Sequence, residues 1–120
     1  MKVLVIDDDQ DRISQFIDNN PDCEIHYATD LKGAFSFFDN LDRYDVICLD
    51  HDLGVDETTI PFVWKIVETY NGNDVCFQIL VHSANPVGAA NILSYFSRTD
   101  IVCSKMHFPW KIKNLFKVVY

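Results

Sequence analysis

The sequence predicts an α/β fold, a doubly wound five-stranded parallel sheet with five helices. Five short apolar runs alternate with five stretches whose apolar residues recur at i, i+3 and i+4, the pattern of strands joined by crossover helices. The first of these runs, Lys2–Ile6, is continuously apolar after its lysine, as suits a strand covered on both faces. Four of the runs stop on reactive residues, Asp7-Asp8-Asp9, Asp50-His51-Asp52, His82-Ser83 and Lys105. A parallel sheet brings the carboxyl ends of its strands to one edge, where ligands bind, so these residues are expected to converge.

Each element has a local reason. Lys2–Ile6 is the first strand, and the first helix starts near Gln10, carries Ile13, Phe16 and Ile17 inward, and ends around Asn19-Asn20-Pro21, where proline forbids continuation. Cys23–Ala28 is the second strand. Thr29 or Asp30 caps the next helix, with Leu31, Ala34, Phe35, Phe38 and Leu41 on its inner face. The third strand, Tyr44 to Leu49, runs into Asp50-His51-Asp52-Leu53-Gly54. Thr59 is the expected N-cap of a helix with Pro61 in its first turn and Val63, Ile66, Val67 and Tyr70 inside. Asn71-Gly72-Asn73-Asp74 reads as a turn, and Val75–Ser83 as the fourth strand. Asn85-Pro86 opens a helix carrying Ala89, Ile92, Leu93 and Phe96; Ile101–Ser104 is the fifth strand, and Pro109 begins a last helix with Ile112, Leu115, Phe116 and Val119 inward.

At 120 residues the chain is expected to form one domain, 1–120, long enough to bury roughly two-thirds of its unfolded surface. An apolar content of 48% excludes disorder, and no apolar run approaches the ~20 residues that span a bilayer, so no membrane partner is expected. The first apolar run leads into three aspartates rather than a small-residue cleavage site, which reads as a strand and not a signal peptide; a cytoplasmic location is expected. Cys23, Cys48, Cys76 and Cys103 lack metal-ligand spacing and read as reduced core thiols. A net charge of −8 opposes duplex DNA but admits a small phosphate held by a cation.

The convergent acids carry the chemistry. Carboxylates about 4 Å apart repel by something like 4 kcal/mol per pair at an effective dielectric near 20, which calls for a proton or a cation. An all-oxygen set formed by Asp7, Asp8 and Asp50 suits Mg²⁺. With Lys105 and the amino end of the Asn85–Pro86 helix nearby, it makes a phosphate-sized electropositive pocket in an acidic protein.

These motifs resemble, in order and over essentially the whole chain, a receiver domain, the phosphoacceptor module of two-component signalling. Val5-Ile6-Asp7-Asp8 is similar to the acidic pair after strand one, Leu49-Asp50 to the phosphoacceptor, Ser83-Ala84 to the switch hydroxyl and Lys105 to the lysine after strand five. The resemblance implies a flavodoxin-like sheet of order 2-1-3-4-5, with Asp7, Asp8 and Asp50 holding Mg²⁺ and Ser83 and Lys105 holding phosphoryl oxygens. Ordinary receivers place an apolar residue and a proline-containing loop after the acceptor, an apolar residue before the hydroxyl, and a proline after the lysine; this chain has His51, Asp52 and Gly54, then His82, then Met106. The segments Leu49-Asp50-His51-Asp52-Leu53-Gly54 and His82-Ser83-Ala84-Asn85-Pro86-Val87-Gly88-Ala89-Ala90-Asn91 resemble a receiver-like family proposed to process cyclic phosphates, often discussed beside RNA-end repair.

Two classes of role stay open for these side chains. Asp7, Asp8 and Asp50 are metal ligands or a solvated acidic cluster; Lys105 is a phosphate contact or a surface lysine; Ser83 is a phosphate contact or a strand-end cap. His51 and His82 are an acid and a base, since proton transfer to phosphate oxygens near neutral pH is imidazole chemistry, or they are hydrogen-bonded structural residues. Asp52 is a partner fixing a histidine tautomer or a loop acid. His26 reads as structural and His107 as loop packing. The preferred expectation is a Mg²⁺-dependent enzyme acting on a phosphate-bearing small molecule or RNA end, with Asp50, His51, His82 and Asp52 catalytic and Ser83, Lys105 and Asn85 on the phosphate. One alternative is a stand-alone response regulator phosphorylated on Asp50 by a phosphodonor kinase. A second is a degenerate receiver acting as a binding module. Side chains alternate along a strand, so if Asp50 and Ser83 both face the phosphate, His51 and His82 share the other parity and can meet, with His51 in the loop beyond the strand.

Overall fold

The computed structural model describes residues 1–70 and 75–112. In chain order these form β1 (Lys2–Ile6), α1 (Gln10–Asn19), β2 (Glu24–Ala28), α2 (Leu31–Ser36), a 3-10 stretch (Phe38–Arg43), β3 (Val46–Leu49), α3 (Ile60–Tyr70), β4 (Gln78–Val81), α4 (Pro86–Phe96) and β5 (Cys103–Lys105). All strand pairs are parallel, in the order β2-β1-β3-β4-β5. This is the flavodoxin-like sheet the sequence predicts. The turn expected at residues 71–74 and most of the last helix, including Leu115, Phe116 and Val119, lie outside the described residues.

The continuous apolar strands are explained by two cores. Leu4, Ile6, Ile47, Leu49, Ile79 and Val81 face α2, α3 and α4, where they meet Ala34, Phe62, Val63, Ile66, Ala89, Ile92 and Phe96. The alternate residues Val3, Val5, Val46, Cys48 and Leu80 face α1, where they meet Ile13 and Phe16, with Met106 and Ile112 closing the layer. At roughly 25 cal/mol per Å², each fully buried aliphatic or phenyl side chain contributes about 1.5–3 kcal/mol, so the two layers fix which face each strand residue takes.

Local chemistry sets the helix starts. Asp9 caps α1 by accepting from the Asp11 and Arg12 amides, Asp30 caps α2 through the Gly33 amide, and Asn85 caps α4 through the Gly88 amide, with Pro86 in the first turn. Several expected limits move. The second helix breaks after Ser36 into the 3-10 stretch, with non-helical geometry at Asn40, so Phe38 and Leu41 reach the core from a separate turn. Ile17 is 43% exposed, because the inner face of α1 is only as wide as Ile13 and Phe16. β2 and β4 are shorter than the apolar runs that encode them, and β5 is displaced to Cys103–Lys105. Among the described residues no helix is long and apolar enough to cross a membrane.

Candidate functional site

The register decides which strand-end residues meet. Ile6 pairs with Leu49 and Leu49 with Val81, and the ladder runs one step further: the Asp7 amide donates to Ala28 O, Asp50 N to Ile6 O, and His82 N to Leu49 O. Asp7, Asp50 and His82 therefore stand level, one residue past the strands, and all three are buried. Ile6, Leu49 and Val81 face α2–α4, so alternation turns the next residues toward α1. His82 accordingly packs edge-on against Phe16 of α1, with ring centroids 4.9 Å apart, and Phe16 in turn stacks on Trp110.

This corrects the parity expected for the histidines. His82 is level with Asp50, not with His51, because Leu49 pairs with Val81. His51, one residue on, turns to the α4 side and lies against Gly88: a Cβ at Gly88 would sit 2.4 Å from His51 Cγ, so only glycine admits the ring. Both histidines do lie beyond their strands, as expected of His51, but they serve opposite faces of the sheet.

Each imidazole holds one aspartate. His82 Nε2 is 2.9 Å from Asp7 Oδ2, with both side chains fully buried. His51 Nδ1 is 3.0 Å from Asp52 Oδ1, and Asp52 Oδ2 accepts from Asn85 Nδ2 at 3.2 Å, which ties the pair to the start of α4. Burial pushes the Asp7 carboxyl up, but bonds from His82, Arg12 and the Asp9 amide outweigh it and hold it at about 2. The bond from His51 likewise holds Asp52 below the ordinary carboxylate range. Both acids are thus ionised acceptors near neutral pH, and the facing ring nitrogens carry the protons. The second nitrogens differ. Among the described residues His82 Nδ1 is buried without a partner, whereas His51 Nε2 has no hydrogen bond and belongs to a side chain 13% exposed.

Arg12, which sequence reasoning did not single out, sits among the acids. Its Nε and Nη2 grip the two oxygens of Asp7 at 2.9 Å each, and Nη2 also reaches Asp50 Oδ2 at 3.0 Å and Asp8 Oδ1 at 3.5 Å. The available signal was positional: Asp8 and Asp9 precede Arg12 by four and three residues at a helix start, the spacing of same-face ion pairs. Asp50 responds differently from Asp7. Burial and the neighbouring Asp7 charge raise its pKa, and His82, Arg12 and the His51 amide only partly offset them.

The remaining candidates are spread around this centre. Thr59 Oγ1 donates to Asp50 O at 2.7 Å and the Thr59 amide to His51 O at 2.9 Å, so the loop after β3 is clamped to the start of α3. Its reversal at Gly54 needs a φ of +107°, which glycine adopts without strain. Ser83 Oγ accepts from the Asn85 amide at 3.1 Å, the strand-end turn considered for it. Lys105 is exposed and pairs with Val81, one step short of the carboxylate layer. His26 bonds Tyr44 and Glu24 on the far strand β2, and His107 is exposed beyond β5.

Oxygens of Asp7, Asp8 and Asp50 lie within 4.8 Å of one another, a donor set of the type a hard divalent cation takes. By donor chemistry the three acids fit Mg²⁺. In the geometry here, each Asp7 oxygen already accepts two bonds and the Asp50 oxygens accept from Arg12 and the His51 amide.

The family model for the cyclic-phosphate processing receiver domain matches residues 2–98, which include every site residue above except Lys105, His107 and Trp110. The chain belongs to that family. No curated protein sequence matches it. Among solved structures, a response regulator receiver protein from Pseudomonas putida superposes with a TM-score of 0.69 at 17% identity, covering 98% of this chain and 93% of that one. A two-component response regulator from Clostridium difficile gives 0.68 at 20% identity, covering 99% and 92%. A CheY-like receiver domain protein from Methanospirillum hungatei gives 0.68 at 14%, covering 98% and 89%. At such identities these likenesses speak for the receiver fold.

Proposed function

We propose that this receiver domain hydrolyses a phosphodiester, a cyclic phosphate on a small molecule or an RNA end, with Asp7, Asp8 and Asp50 as the Mg²⁺ ligands and His51 as the group that moves the proton. The observation that carries the reading is the His51–Asp52–Asn85 arrangement: an imidazole with one nitrogen fixed on an ionised carboxylate, the other free, one residue after Asp50 in the chain and seated on the first turn of α4. Asp52 fixes the tautomer, so Nε2 presents a lone pair to an incoming water. The water attacks phosphorus and gives its proton to His51 Nε2; the ester P–O bond breaks, and the leaving oxygen takes a proton back from the same ring. Bound at the three acids, Mg²⁺ would supply a Lewis acid that offsets charge on the phosphoryl oxygens. Asn85 and the amino end of α4 favour the anion on the adjoining side. Ser83 and Lys105 flank the site as further phosphate contacts.

His82 takes a different part in this account. Its free nitrogen is sealed against Phe16 and Trp110, so it serves by holding Asp7 ionised and oriented. The response-regulator alternative draws less support, because the loop after Asp50 carries the hydrogen-bonded His51–Asp52–Asn85 set, a proton-transfer arrangement that phosphoacceptance by a carboxylate does not need. The deciding experiment offers the purified protein a 2′,3′-cyclic nucleotide with Mg²⁺ and, separately, an acyl phosphate donor. The expected result is ring opening to a monophosphate with little stable labelling. Stoichiometric labelling on Asp50 without ring opening would turn the assignment to signalling.

A further inference from the structure

We propose that Arg12 is an internal cation that occupies the carboxylate site and exchanges with the divalent ion, so that metal entry requires the guanidinium to leave Asp7 and Asp50. The inference rests on the reading of Asp7, Asp8 and Asp50 as the divalent site, and it concerns what this chain adds to it.

Three observations carry it. Arg12 is bidentate on Asp7 and bridges to Asp50 with the same Nη2, so one guanidinium contacts two of the three ligands at hydrogen-bond distance and stands 3.5 Å from the third. Those contacts consume the lone pairs a metal needs. Asp7 Oδ1 accepts from the Asp9 amide and Arg12 Nη2, and Oδ2 accepts from Arg12 Nε and His82 Nε2, while Mg²⁺ demands close, nearly octahedral oxygen ligands. Arg12 is also placed to move. It projects from the first turns of α1, its side chain is 30% exposed, and Asp9, the α1 cap, stands 3.4 Å from its Nη1 as an alternative partner at the surface.

A cation competing for a site lowers the apparent affinity by the fraction of molecules in which the site is open. Removing the competitor should therefore tighten metal binding even though a charge partner of the acids is lost. Loss of the guanidinium charge also favours a cation there by itself, so displacement is read separately, at the Arg12 Nε–H of the wild-type protein.

The test is Mn²⁺ titration by calorimetry of the wild-type protein, Arg12→Gln and Asp50→Asn, with circular dichroism confirming the fold. Arg12→Gln should bind Mn²⁺ about tenfold or more tightly than wild type, and Asp50→Asn should lose the site. Unchanged or weaker binding by folded Arg12→Gln, with wild type still binding, overturns the exchange and leaves the metal site standing. No binding by either protein removes both. Because Arg12→Gln leaves buried Asp7 short of two donors and risks unfolding, the wild-type protein gives an independent readout. The Arg12 Nε–H resonance, held on Asp7, should shift and exchange faster with solvent as Mg²⁺ saturates; an Nε–H unmoved at saturation contradicts the proposal.

Discussion

His82 and His51 each hold an aspartate at hydrogen-bond distance, 2.9 Å to Asp7 and 3.0 Å to Asp52, yet the two pairs are different devices. The first is fully buried, backed by Phe16 and Trp110, and joined to Arg12 and Asp50; the second leaves Asp52 53% exposed and rests on a glycine at the start of a helix. Identical chemistry in sealed and open settings divides the work. A buried hydrogen-bonded pair locks strand ends together, while an imidazole with one nitrogen fixed and one free can exchange a proton with a ligand. The division follows from one register step, because Leu49 opposite Val81 sends His82 to the α1 face and His51 to the α4 face.

The comparison is broken most severely by truncating the sealed ring. His82→Ala leaves Asp7 buried without one of its donors and a void beside Phe16, and it should cost about 3–4 kcal/mol in urea denaturation. His51→Ala should cost about 1 kcal/mol or less by the same measurement, since its acid is exposed. Equal costs would erase the distinction between sealed and open pairs.

Acid titration sharpens it. Asp7 is held at about 2 against an ordinary 3.8, so its contribution is fully present above the unfolded value and is lost as pH falls through the folded one. Stability should drop by about 2 kcal/mol between about pH 4 and pH 2, followed by denaturant midpoints across that range, and the drop should be smaller in His82→Ala. A midpoint that holds constant across that window would mean that Asp7 is not held ionised by this network.

Gly88→Ala tests the seat of the open pair. The added Cβ meets the His51 ring at 2.4 Å, so the ring must leave; the expected cost is about 1–2 kcal/mol, with turnover falling as far as it does when His51 itself is replaced. The smallest effect is expected at Asp50, whose raised pKa means that its charge is less welcome in the fold than in water. Asp50→Asn should therefore raise stability at neutral pH slightly, seen as a higher melting temperature, and the gain should vanish at low pH where Asp50 is protonated in both states.

The strands and the edge that gathers Asp7, Asp50 and His82 were legible because periodicity and strand-end chemistry are local signals. Register was not. Nothing within β3 or β4 states which residue of one faces which of the other; the two-sided apolar pattern tolerates a one-step slip, and only packing on α1 and α4 resolves it. Arg12 was missed for a related reason. A lone arginine near a helix start reads as solvated surface until the fold brings Asp50 onto it from a strand 38 residues later. The break after Ser36 escaped because the apolar spacing of Phe38 and Leu41 continues through it. By contrast, Asp30 and Asn85 announced their helices through side-chain chemistry confined to four residues.

The division of labour between the two pairs is tested most directly by the rate at which His51→Gln opens a 2′,3′-cyclic phosphate in the presence of Mg²⁺, measured beside wild type on samples of matched melting temperature. Loss of the proton-transferring group predicts a fall of about 10²–10⁴-fold, with substrate affinity and fold retained. A His51→Gln protein that turns over at the wild-type rate would contradict the assignment and leave the His51–Asp52 pair as a loop clamp.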